Sequence, residues 1–160
     1  MLVLLVLGGR VFGAGFGFLL GATTLFASAI LTGGVGPWLP FQMLAAGWVG
    51  LGAGLLPRLR GWREIVLLCG YGAVAALLFG LAMNLSFWPF VIGVSSDLSY
   101  VAGAPVTENL QRFITFSLAT SLGWDIGRAI TTAVGIAVVG PLVLPLLRRA
   151  ATRARFTTPS

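Results

Sequence analysis

Gln42 and Asn84 are carboxamides set inside long apolar runs, and each has a tryptophan four residues away, Trp38 before Gln42 and Trp88 after Asn84. Residues at that spacing share a helical face, so each pair offers an aromatic plane beside a hydrogen-bonding amide. A carboxamide in a membrane-spanning segment is costly unless it bonds a neighbouring helix, a water or a ligand. Two further groups carry related chemistry: Glu108, Asn109 and Arg112 lie in one polar stretch, and Trp124, Asp125 and Arg128 open the last apolar run. Amides and indoles with an acid and an arginine at the rim suit a flat or multi-ring polar organic molecule better than an inorganic ion, whose pathway uses several carboxylates at membrane depth. Simpler readings stay open beside this one. Trp38 and Trp88 also suit an interfacial aromatic belt, and Asp125 with Arg128, three residues on, also suits a local ion pair.

Other chemistries lack their parts. Histidine is absent, Cys69 is the single cysteine, and the four acids Glu64, Asp97, Glu108 and Asp125 fall on separate segments. A nucleophile–base pair, a metal cluster or a carboxylate dyad cannot be assembled from these residues, so the chain reads as a non-enzyme with no metal and no cofactor. All ten basic residues are arginine. Arg58, Arg60 and Arg63 share one loop, and Arg148, Arg149, Arg153 and Arg155 lie in the tail, a pattern that marks membrane topology and not nucleic-acid binding.

The elements that must position these groups are membrane helices. Hydrophobic residues make up 58% of the 160 and charged ones 9%, against about 45–50% and about 25% in soluble proteins. Residues 1–160 read as a single integral membrane domain. Apolar runs cover Ala14 to Leu31, Pro40 to Leu56, Glu64 to Trp88 and Thr107 to Leu147, separated by Gly33-Gly34, Pro37, Pro57, Pro89 and Pro105. Arginine alternation between loops requires the last run to cross once. It therefore divides into a short outer or re-entrant helix, Thr107 to Ser121, and a span from about Trp124 to Leu147. Met1 to Gly8 reads as the last turns of a helix or a half-helix, and residues 148–160 as a basic cytoplasmic tail. The expected fold is all-α: a small bundle of four full transmembrane helices, an N-terminal partial helix and one short outer helix, multi-pass in the cell membrane with a cytoplasmic C-terminus. Trp38, Gln42, Asn84 and Trp88 then fall at one outer end with residues 108–128. Pro37 and Pro40 stiffen the rim there, with Gln42 pointing into the bundle. Stripes of small residues (Gly13, Gly17, Gly21; Ala46, Gly50, Gly54; Gly72, Ala76, Gly80) let helices approach closely, within the chain or against another subunit.

The runs LGGRVFGAGFGFLLGATTLFASAILTGGVGPWLPFQMLAAGWVGLGAGLLPR, YGAVAALLFGLAMNLSFWPF and RFITFSLATSLGWDIGRAITTAVGIAVVGPLVLPLLRRA together resemble the substrate-binding S component of energy-coupling factor (ECF) transporters of the actinobacterial type. The entry GxxFGxxxGxxxG and the ending TSLGWDxxRA carry the likeness, which spans nearly the whole chain. The resemblance implies a six-helix protein that captures a vitamin or similar micronutrient from outside and works with a membrane T subunit and two ATPase subunits. By family likeness alone, cobalamin is the first-choice cargo. It also implies a pocket at the outer half, at Trp38, Gln42, Asn84, Trp88, Asn109, Arg112, Asp125 and Arg128. The family's first helix has no counterpart within these residues, which makes the expected fold a truncated form of the six-helix one. Two other functions remain: a structural or assembly protein packing through the small-residue stripes, and a self-sufficient membrane facilitator.

Overall fold

A computed structural model describes residues 1–90 and 98–156, with side chains to Arg153. Six α-helices run in order: α1 Leu2–Phe12, α2 Ala14–Thr32, α3 Leu39–Leu55, α4 Trp62–Phe87, α5 Val106–Thr120 and α6 Leu122–Phe156, with one 3-10 turn, Trp88–Phe90, closing α4. The described residues contain no strand.

Local chemistry sets most boundaries. Gly13 turns the chain between α1 and α2 at φ 98°, a conformation that side-chain-bearing residues avoid. Gly33 ends α2 in the left-handed region at φ 66°, and its N–H bonds the carbonyl of Ile30. Pro40 occupies the first turn of α3, where its missing N–H has no helical partner to lose. At the other end, Leu56 is extended (φ −61°, ψ 148°) because it precedes Pro57.

Three helical stretches are long and apolar enough to cross a membrane: Ala14–Thr32, Trp62–Phe90 and Leu122–Arg153. Four full crossings were expected, and the fourth of them, α3, is shorter than these three. Bounded by its prolines, it has 17 residues, about 25 Å of helix against a hydrocarbon core of about 30 Å. Two other boundaries also move. α1 continues to Phe12, four residues beyond the Gly8 end expected for the N-terminal fragment, and α6 runs on as helix from Arg148 to Phe156 where a tail was expected. The separation of a short helix from the last span is seen, with Ser121 (φ −121°, ψ −20°) as the hinge residue.

Small residues account for the tightest packing. Gly17 and Gly21 of α2 meet Gly50 and Ala46 of α3 backbone to backbone, and Gly9 of α1 lies on the Gly50 carbonyl. Across the bundle, Gly72 of α4 faces Ile136 and Thr132 of α6, and Gly80 faces Asp125. All three stripes are therefore covered inside the chain; Gly13 serves as the α1–α2 turn, with open space where a side chain would be and its backbone against Gly54. Leu5, Val6, Leu7, Leu68 and Ile136 fill the core between α1, α4 and α6. The hydroxyl of Tyr71 donates to the carbonyl of Val49 at 2.6 Å, tying α4 to α3. Outside, Leu19, Phe26, Ile30, Trp48, Val66, Leu78, Val138 and Leu142 are exposed. An apolar exterior around a sealed helical backbone is what a bilayer requires.

Candidate functional site

The two ends of the bundle differ in chemistry. At one end the start of α3 meets the end of α4, because Trp38 stacks on Phe87 with centroids 5.7 Å apart and planes inclined by 30°. Gln42 and Asn84 thus lie near the same end. Gln42 is half-buried one turn below Trp38 and makes no side-chain hydrogen bond among the described residues.

Asn84 belongs to a polar seam between α4, α5 and α6. The Ser121 hydroxyl donates to Asn84 Oδ1 at 2.9 Å, while Asn84 Nδ2 and, one turn before Ser121, Ser117 Oγ are buried with no hydrogen-bond partner. One turn toward the middle, the Asp125 carboxylate lies directly on the α4 backbone at Gly80, filling the space that a side chain there would take. Arg128 Nη1 sits 3.2 Å from Asp125 Oδ1, but that atom is not aligned for a hydrogen bond. The guanidinium covers the Phe79 ring at 5.5 Å. Beside it opens a cavity of about 360 Å³ where Arg128, Thr131 and Thr132 face Leu2, Val3 and Phe79. That volume is within the usual range for small-molecule sites, about 300–1,000 Å³.

The remaining sequence-named residues serve the surrounding structure. Trp88 Nε1 donates to the Leu98 carbonyl at 2.8 Å, and its ring packs edge-on against Tyr100 and Phe113. Asn109 clamps the same loop: its Oδ1 accepts from the Val101 N–H at 3.1 Å and its Nδ2 donates to the Val101 carbonyl at 2.9 Å. Arg112 pairs with Glu108 one turn away at 2.8 Å on an open helix face. Trp124 departs from the expected convergence, since it is 81% exposed while Asp125 beside it is buried. Consecutive helical residues point about 100° apart, so both cannot enter the seam. Asp97 lies outside the described residues. Asn109→Ala should cost about 1–2 kcal/mol, since it removes both loop hydrogen bonds; faster protease cleavage near Val101 than in wild type, with the helices intact, is the expected readout.

Ser117 and Ser121 were not singled out from the sequence. Their signal was the spacing of Ser117, Ser121 and Asp125, which places three polar groups at four-residue intervals on one side of the α5–α6 junction.

The opposite end holds a second feature that sequence reasoning missed. Glu64, at the start of α4 and 2% exposed, accepts from Arg10 Nε of α1 at 2.7 Å and from Arg148 Nη2 of α6, 2.7 Å from each carboxylate oxygen. Arg10 Nη1 also donates to the Leu56 carbonyl at the end of α3 at 2.8 Å. One carboxylate therefore joins three helices and orders the exit of a fourth. A lone arginine within the α1 apolar run was the clue, because a charge so placed demands a partner.

Among the described residues no group of His, Cys, Asp or Glu could hold a metal ion. No family model, curated protein or solved structure matches this chain.

Proposed function

We propose that the chain is the substrate-capture subunit of an ECF-type uptake transporter, taking a small water-soluble organic molecule of the vitamin class into the seam between α4, α5 and α6. The observation that carries this reading is the pair of buried polar atoms without partners in that seam, Asn84 Nδ2 and Ser117 Oγ; Arg128, one turn beyond Asp125, lines a separate cavity on the α1 side of α4 and α6. A buried donor left unpaired costs about 1–3 kcal/mol, and a ligand that supplies an acceptor recovers it. Arg128 favours a carboxylate or phosphate on that ligand. In this reading α3 is a short fourth crossing over a locally thinned bilayer. Eight of the ten arginines lie toward the Glu64 end or its loops, which makes that end cytoplasmic, together with the C-terminus. A T subunit and two ATPase subunits supply the energy.

Covered stripes weigh against the assembly reading, because the small residues on which it depended already pack within the chain.

The test is a thermal-shift panel of B vitamins, queuosine precursors and corrinoids on the detergent-purified chain. A true cargo at 100 times its Kd stabilises the protein by about 2.7 kcal/mol. Asn84→Ala and Arg128→Gln should each weaken it at least about tenfold, the loss of one buried hydrogen bond to a charged or amide group. No shift from any compound, together with unchanged uptake in both variants, defeats the proposal.

A further inference from the structure

The arginine-rich end carries chemistry that capture of a cargo at the opposite end does not use. Arg10, Arg58, Arg60 and Arg148 line one cavity of about 640 Å³, where α1 ends and the α3–α4 loop passes over it. Four guanidiniums meet one nearby carboxylate there. Glu64 is shared by Arg10 and Arg148, and neither Arg58 nor Arg60 forms an ion pair among the described residues. Such a pocket selects an anion with several acceptor oxygens.

A second cavity of about 540 Å³ shares Arg148 with the first and differs in character. Its walls are Trp62, Ile65 and Val66 of α4 facing Pro141, Leu144 and Pro145 of α6. Trp62 is exposed at the start of α4 with the Arg63 guanidinium 5.9 Å from its ring, the arrangement of an interfacial tryptophan. The groove therefore begins at headgroup level and leads along the apolar part of the bundle.

We infer that these two cavities form one site for an anionic phospholipid, with the phosphate among Arg58, Arg60 and Arg148 and an acyl chain along the α4–α6 groove. A charged pocket or an apolar groove alone would fit a soluble anion or a neutral lipid. Their junction at Arg148 calls for one molecule bearing both parts. Basic pockets between membrane helices hold phosphate headgroups by this chemistry, each arginine strengthening attraction to an anionic surface by roughly fivefold. The inference needs only that the helices lie in a bilayer and does not depend on the transport reading.

The experiment uses the full chain, delipidated in nonionic detergent, with dioleoyl phosphatidylglycerol, dioleoyl phosphatidylcholine, dihexanoyl phosphatidylglycerol, glycerol phosphate and inorganic phosphate added separately. Saturating long-chain phosphatidylglycerol should raise the thermal midpoint by about 5–10 °C, and phosphatidylcholine should raise it far less. Arg58→Gln with Arg60→Gln should weaken phosphatidylglycerol about 30-fold. That variant leaves the Glu64 contacts of Arg10 and Arg148 in place, and an unchanged midpoint without lipid checks that it folds. Equal shifts from both long-chain lipids, or full retention of the preference in the double variant, would overturn the site. A shift from glycerol phosphate or inorganic phosphate matching that of the long-chain lipid would overturn the lipid in favour of a soluble anion. Equal shifts from dihexanoyl and dioleoyl phosphatidylglycerol would remove the groove.

Discussion

Glu64→Gln is expected to lower the unfolding free energy by about 3–5 kcal/mol, the cost of removing one partner from a buried ion pair. Glutamine has nearly the same shape, so packing is preserved and the loss is electrostatic. The reason for the size is Arg10, whose side chain is 5% exposed. Without the carboxylate its charge stays inside the bundle with only neutral acceptors, the glutamine amide oxygen and the Leu56 carbonyl. Arg148 is 48% exposed and can turn to water, so Arg148→Gln should cost only about 1 kcal/mol. Glu64→Leu combined with Arg10→Met should recover part of the Glu64→Gln loss, because exchanging a whole buried pair for apolar groups is often neutral. Unfolding in mixed micelles measures all three variants. Equal, small effects of Glu64→Gln and Arg148→Gln would show that the network does not hold the helices.

Gly50→Ala and Gly17→Ala are expected to cost more than about 3 kcal/mol each, at or beyond the upper end of ordinary overpacking. A methyl group on Gly50 lands on the carbonyl and Cα of Gly17, and one on Gly17 lands on the carbonyl of Gly50 and the Cα of Gly9. A flexible side chain could swing aside, but a helix backbone can yield only if the two helices move apart. That separation would also open the contacts of Gly9, Gly21 and Ala46 along the same seam. Gly70 is the control. It lies in α4 with nothing near the position of an added methyl, so Gly70→Ala should instead stabilise by about 0.5–1 kcal/mol through helix propensity. The opposite signs at Gly50 and Gly70, measured in the same unfolding assay, separate packing from propensity. A small or stabilising effect at Gly50 would mean that α2 and α3 are not in backbone contact.

Helix existence and most of the helix ends were legible in the sequence, because they depend on neighbours in the chain. Gly33 and Pro57 stop helices by their own backbone preferences, and Pro40 starts one for the same reason. The division at Ser121 was legible too, from the length of an apolar run set against the positions of arginines. Where expectation and structure differ, the missing information was of another kind. Helical spacing says that Trp124 and Asp125 point in different directions but not which one meets α4, and Gly80 decides that by leaving room for a carboxylate. Likewise, small-residue stripes announce close approach without naming the partner: those of α2 and α3 proved to meet one another, while that of α4 meets Ile136, Thr132 and Asp125 of α6.

From its residues alone this chain is determined to be an all-helical protein with an apolar exterior, polar groups gathered toward one end and arginines toward the other. Hydropathy, proline and glycine act within a few residues, so no tertiary knowledge is needed to read them. Only the tertiary structure decided that Glu64 joins Arg10 and Arg148, 54 and 84 residues away in the chain, that Asn84 meets Ser121, and that an arginine pocket opens onto an apolar groove. Each of these depends on how far one helix is rotated and slid against another. That choice is made by the summed packing of whole helix faces, and no local stretch of sequence contains it.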